Sequence, residues 1–224
     1  MTYWKSALVF LFAAAASAQA TTLYYWDFNG SDSLTATIGS GTATVEYAGL
    51  NVFGGADQGV GTEKNLVPPY DKGESVEFYE GAGLLIDQRI QFTELDFSAA
   101  DQVQISFAVR STEFFGAGDT FKIRYRAVTG VGEDPESPIW TEINWTSEAP
   151  TDEWSIKSFT LAGLGGASSA QIQINSSAIF EAISVLEFDN VQISAVPEPS
   201  SMLLLTVSGG VAAFLILRRR VCCA

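Results

Sequence analysis

Apolar and polar residues alternate strictly along Phe121-Lys122-Ile123-Arg124-Tyr125-Arg126-Ala127. Phe121, Ile123, Tyr125 and Ala127 fall on one side; Lys122, Arg124 and Arg126 fall on the other. An extended chain points successive side chains to opposite faces, so this period of two predicts a strand with one face in a core and one in water. Val103, Ile105, Phe107 and Val109 repeat the pattern, with Gln102, Gln104, Ser106 and Arg110 outward. Further strands are expected at Leu23–Phe28, Thr42–Tyr47, Ser75–Phe78, Gly83–Asp87, Ile139–Trp145, Trp154–Leu161, Ala170–Asn175 and Val185–Ile193. Clusters of Gly, Asp, Ser and Pro separate them. No stretch between them holds a helical period. Strands at this density, each apolar on one side, predict an all-β antiparallel sandwich. The last strand changes parity: Leu186 and Phe188 share a face with Val191 and Ile193 only if one residue bulges near Asp189-Asn190.

Both ends break the alternation. Lys5 precedes the apolar run Ala7–Ala16, and Ala16-Ser17-Ala18 and Ala18-Gln19-Ala20 are both small-x-small cleavage patterns. Residues 1–20 therefore read as a signal peptide cut between Ala20 and Thr21. The competing reading, a retained anchor, asks a short run to span a bilayer. Near the other end, Met202–Leu217 is a charge-free stretch of 16 residues followed by Arg218, Arg219 and Arg220. As a helix it would reach about 24 Å, somewhat short of a hydrocarbon core of roughly 30 Å. The arginines snorkel and, by the positive-inside rule, face the cytoplasm, leaving the long preceding domain outside. The competing reading is a buried C-terminal core helix.

The chain carries 12 Lys+Arg against 26 Asp+Glu. Setting aside Lys5, Glu198 and the three terminal arginines leaves 8 basic and 25 acidic residues in Thr21–Ala195, a net of −17. Such a surface repels nucleic acid and anionic headgroups. There is no histidine, which removes the commonest general base and transition-metal ligand. The only cysteines, Cys222 and Cys223, lie beyond the arginines, so the outer domain has neither a disulfide nor a thiol nucleophile. At about 175 residues it is large enough to stand on its core alone.

Val196-Pro197-Glu198-Pro199, then the apolar segment, then Arg218-Arg219-Arg220, resembles the PEP-CTERM sorting signal of exported bacterial proteins. Pro197, Glu198, Pro199 and the three arginines are the matching positions. The resemblance implies three parts: a signal peptide over 1–20, an outer domain over 21–195 and a sorting signal over 196–224. It also implies passage through the general secretion machinery, a transient inner-membrane anchor and processing by an exosortase, with the domain finishing at the cell surface or beyond. The Val221-Cys222-Cys223-Ala224 extension departs from many members, and its thiols are either lipidated or inert. A second, looser resemblance joins the early Trp26-Asp27-Phe28-Asn29-Gly30 to the late Asp189-Asn190-Val191-Gln192-Ile193. That pairing looks like the jelly-roll modules of extracellular bacterial proteins, carbohydrate-binding ones among them.

Nucleophile elbows, P-loops, zinc spacings and EF-hand loops are absent from the sequence, and a Ser-His-Asp triad is impossible without histidine. With 25 acidic residues some carboxylates will lie close by chance, so acid count is no sign of glycoside hydrolysis. The domain is expected not to be an enzyme. Aromatic platforms are the better candidate, because an indole face matches the C–H face of a pyranose. Parity puts Trp145 in the core with Ile139 and Ile143, and Trp140 outside. Trp140 with Arg124 and Arg126 is the candidate site for a sugar or an acidic polysaccharide; the same three residues equally describe a surface cation–π group without a ligand. Asp27, Asn29 and Asp189 are candidate calcium ligands if the two ends of the sandwich meet, or else a capped turn and a buried hydrogen-bonding carboxylate. No other cofactor is implied. The leading functional expectation is a non-enzymatic structural or adhesive surface protein. The alternative is a module recognising exopolysaccharide, with a hydrolase third.

Overall fold

Every β-rich stretch of the chain that alternates cleanly becomes a strand, and the strands stack as two sheets. The computed structural model describes residues 20–29, 34–48, 55–70, 73–80, 84–111, 120–128, 138–146, 150–180 and 184–196. The expected signal peptide, the Pro-Glu-Pro element, Met202–Leu217 and the terminal arginines lie outside these residues. The described core sits in the compact unit Thr22–Ala195.

Among the described residues eleven strands occur: β1 (Thr21–Trp26), β2 (Thr42–Ala48), β3 (Gly55–Val60), β4 (Glu74–Glu80), β5 (Leu84–Leu95), β6 (Gln102–Ser111), β7 (Thr120–Ala127), β8 (Thr141–Asn144), β9 (Ser155–Leu161), β10 (Ala170–Phe180) and β11 (Ser184–Val196). The first sheet runs β3-β4-β11-β6-β9, with β1 also pairing β11; the second runs β2-β5-β10-β7-β8. The antiparallel pairs are nested: β4 with β11, β5 with β10, β6 with β9 and β7 with β8. A chain that goes out from β4 to β7 and returns from β8 to β11 along its own path is one long hairpin. Alternate pairs of that hairpin lie in opposite sheets, which is the winding of a jelly roll. The fold is thus an all-β, jelly-roll sandwich.

The core forms between the sheets from the apolar half of each alternation. Ile90, Phe92, Ile172, Ile174, Phe121 and Ile123 of the second sheet are buried against Val103, Ile105, Phe107, Phe188 and Ile193 of the first. Trp145 closes one region of it, its ring centroid 4.8 Å from that of Phe121 and 5.8 Å from that of Phe107. Trp26 against Phe92, at 4.6 Å, closes another. In β11, Leu186, Phe188, Val191 and Ile193 are all buried, and Asn190 adopts φ +49. A left-handed residue there absorbs the one-residue change of parity, which asparagine tolerates better than most.

Two strand expectations need correction, and one strand was not expected. The stretch Ile139–Trp145 shortens to β8, and Ile139, expected in the core, is 83% exposed. The strand expected to end at Asp87 runs on to Leu95, because Ile90 and Phe92 continue its inward face. β3, Gly-Ala-Asp-Gln-Gly-Val, has no apolar alternation to announce it and owes its strand form to pairing with β4.

Candidate functional site

The outer face of the second sheet is set by register. Because Ile123 and Ile174 point inward, Lys122, Arg124 and Arg126 of β7 and Gln171, Gln173 and Asn175 of β10 point outward. Pairing across the sheet puts Thr44, Gln91, Gln173, Arg124 and Glu142 in one row. The next row holds Glu46, Arg89, Asn175, Lys122 and Asn144. Arg126 lies opposite Gln171, and Trp140 stands just before β8, beyond the Arg124–Glu142 pair.

All three residues of the expected glycan site meet here. The guanidinium carbons of Arg124 and Arg126 lie 5.4 and 5.0 Å from the Trp140 ring centroid. Arg126 Nε also donates to Gln171 Oε1 at 2.9 Å, which ties the brace to β10. Trp140 is half-buried, so part of its indole stays open. Two cation–π contacts at a partly exposed site contribute about 0.5–1 kcal/mol each. That is enough to hold a ring in place without a ligand.

Sequence reasoning missed the amide row beside this brace. Gln173 is buried, and its Nε2 donates to Gln91 Oε1 at 2.6 Å. Its own Oε1, and Asn175 Oδ1 in the neighbouring row, are buried without a hydrogen-bond partner among the described residues. Buried carbonyl oxygens are nearly always paired, so two lone acceptors in adjacent rows need a donor. The signal was visible in Gln171-Ile172-Gln173-Ile174-Asn175: its inward isoleucines leave three amides outward. Glu142 was missed as well. Its Oε2 lies 3.1 Å from Lys122 Nζ and its Oε1 lies 3.0 Å from Arg124 Nε. One acid is thus shared by Lys122 and Arg124. Four of the eight basic residues of Thr21–Ala195 (Arg89, Lys122, Arg124 and Arg126) occupy this face.

The calcium candidates lie elsewhere. Asp189 is buried in β11; its Oδ2 accepts from Thr62 N at 2.7 Å and its Oδ1 from Asn190 N at 2.6 Å. Burial pushes its carboxyl up to about 7; these two N–H bonds oppose the shift, and the negative charges of Asp27 and Glu187 add to it. Asp27 Oδ1 accepts from Thr37 Oγ1 at 2.9 Å, and Asn29 Oδ1 from Glu74 N at 2.7 Å. Gly73 makes room for that bond: a Cβ there would sit 1.8 Å from Asn29 Oδ1. Asp27 and Asp189 thus lie within electrostatic reach, while Asn29 is engaged with the backbone. Among the described residues no group of three His, Cys, Asp or Glu is arranged to hold a metal ion.

Beyond the site, the chain is similar to several solved structures. The enzymatically active domain of bacteriophage CBA120 tailspike protein 4 superimposes with TM-score 0.46 at 16% identity, over 69% of this chain and 19% of that one. This chain therefore spans about a fifth of the length of that domain. The CBM22-1 xylan-binding domain of Paenibacillus barcinonensis Xyn10C gives TM-score 0.42 at 15% identity, over 82% of this chain and 99% of that one. The family 11 carbohydrate-binding module of Clostridium thermocellum Lic26A-Cel5E gives 0.42 at 13%, over 82% and 98%. No curated relative matches the sequence. Thr21 opens β1, which begins directly after the expected cleavage site at Ala18-Gln19-Ala20. At the other end, residues 195–220 match the PEP-CTERM protein-sorting motif. The chain therefore carries the sorting motif of an exported protein processed by an exosortase at the membrane.

Proposed function

We propose that the protein is a non-enzymatic, adhesive component of the extracellular matrix, and that its jelly roll holds exopolysaccharide on the outer face of the second sheet. The observation that supports this best is Trp140, braced by Arg124 and Arg126 at the end of an amide row. The indole offers a flat apolar face to a pyranose. The arginines offer bidentate partners to a uronate or sulfate. On a domain with a net of −17, this concentration of cations on one face favours an acidic polymer over a neutral one.

Export delivers the domain to where such a polymer lies. Mass spectrometry of the surface fraction should find an N-terminus near Thr21 and a C-terminus near Pro197. Intact Met1, or peptides from Leu203–Leu217, in that fraction would contradict the processing. A glycan array probed with the full chain in detergent tests the binding. Signal on uronate-bearing glycans, with no reducing ends released from the same glycans in solution, is expected. Release of reducing ends would replace the adhesive reading with a hydrolytic one.

A further inference from the structure

The first sheet carries an arginine–tryptophan pair of its own, with different surroundings. Arg110 ends the outward series of β6, and Trp154 stands just before β9, where Val109 pairs Ser155. The Arg110 guanidinium carbon lies 4.9 Å from the Trp154 ring centroid. Behind it, Arg110 Nε and Nη2 lie 2.7 and 2.6 Å from Glu187 Oε1. The Glu187 side chain is only 3% exposed, and its Oε2 accepts from Ser75 Oγ at 2.8 Å. Trp154 thus rests on a clamp whose anchor is buried.

We propose that this β6–β9 face is a second polysaccharide contact, and that its occupant is a neutral chain. Charge decides the occupant. Glu187 already takes the charge of Arg110, so an acidic polymer gains no ion pair at the clamp, and a neutral one has no counter-charge to displace. Shape agrees. On the same side of β9 follow Ile156, 51% exposed, then Ser158 and Thr160, both exposed. Beside Ile156 on β6 sits Ala108, fully buried although its position faces outward, so the open strip runs along β9. From Trp154 to Thr160 an extended strand covers about 20 Å. The result is a flat strip, apolar at one end and hydroxyl-bearing at the other, on a strand that ends its sheet. A ring held before the ligand arrives loses little freedom on binding.

Affinity electrophoresis of the full chain in detergent separates this contact from the one on the second sheet. The gels contain polygalacturonate, or one of three neutral polymers: hydroxyethyl cellulose, xyloglucan and galactomannan. Wild type should be retarded by at least one neutral polymer. Trp154→Ala should weaken that retardation about tenfold and leave the polygalacturonate gel as for wild type. Ile156→Ser, which leaves the clamp untouched, should weaken it severalfold in the same gels only. Trp140→Ala should do the reverse, so loss of acidic binding alone counts against the first face and not this one. Four results would each overturn the proposal: no wild-type retardation in any neutral gel, equal retardation of wild type and both variants, loss in both kinds of gel together, or a self-association that Ile156→Ser abolishes.

Discussion

The two outer faces of the sandwich both hold a tryptophan under arginine, yet they use the arginine differently. On the first sheet, Arg110 reaches inward to Glu187, whose side chain is nearly sealed from solvent. On the second, Arg124 meets Glu142 with both side chains about a third exposed. The first pair is built into the packing, since Glu187 also accepts from a fully buried Ser75. The second is a surface pair in a row of amides, with one acid shared between Lys122 and Arg124. A cation already spent on a buried partner serves stability. A cation in a solvent-exposed pair keeps more of its surface open to a ligand.

Stability should separate the faces most strongly. Arg110→Ala strands Glu187 in a dry site and should cost about 3–5 kcal/mol. Arg124→Ala should stay within about 1 kcal/mol. Urea unfolding of the two variants beside wild type checks this, and equal losses would erase the distinction drawn above. Within the second sheet the same contrast runs from inside to outside. Ile123→Ala, at a fully buried position, should cost about 2–5 kcal/mol, against little for its neighbour Lys122→Ala.

pH offers a third way to sharpen the comparison, through Asp189 on β11 of the first sheet. Its folded pKa of about 7 lies above the ordinary value of 3.8. The carboxyl therefore contributes stability that is fully present below about pH 4 and is lost as pH rises through about 7, a loss of no more than a few kcal/mol. Melting temperatures measured from pH 4 to pH 8 should fall more steeply for wild type than for Asp189→Asn. Parallel curves would show that Asp189 does not titrate in this window. The smallest expected effect on stability is that of Glu142→Gln, which removes the acid shared by Lys122 and Arg124. It should shift unfolding by about 1 kcal/mol or less while tightening retention on an acidic polymer. Weaker retention would mean that Glu142 positions the arginines rather than competing for them.

Much of this was legible from alternation. Phe121–Ala127 and Val103–Val109 declared their faces, and the parity change at Asp189-Asn190 announced the left-handed turn found at Asn190. Parity also separated Trp140 from Trp145, and the structure buries only the second. What alternation cannot supply is register. Nothing local to Gln173 says that it stands between Gln91 and Arg124, or that Glu142 comes opposite Arg124. β3 was invisible because its glycines carry no side-chain pattern. Trp154 was read only as a strand end, since its partner Arg110 is 44 positions away in the chain and the anchor of Arg110, Glu187, is 77 positions from Arg110.

The central claim is that the outer face of the second sheet holds an acidic polysaccharide on Trp140 with Arg124 and Arg126. Affinity electrophoresis in polygalacturonate tests it directly, with wild type, Trp140→Ala and Arg124→Ala run side by side at low and high salt. Wild type should be retarded. Trp140→Ala should lose retardation at both salt strengths, because stacking is not screened. Arg124→Ala should be weakened at low salt, and added salt should bring wild type to the same mobility. No retardation of wild type, or equal retardation of all three proteins, would contradict the account and leave Trp140 a surface aromatic packed under arginine.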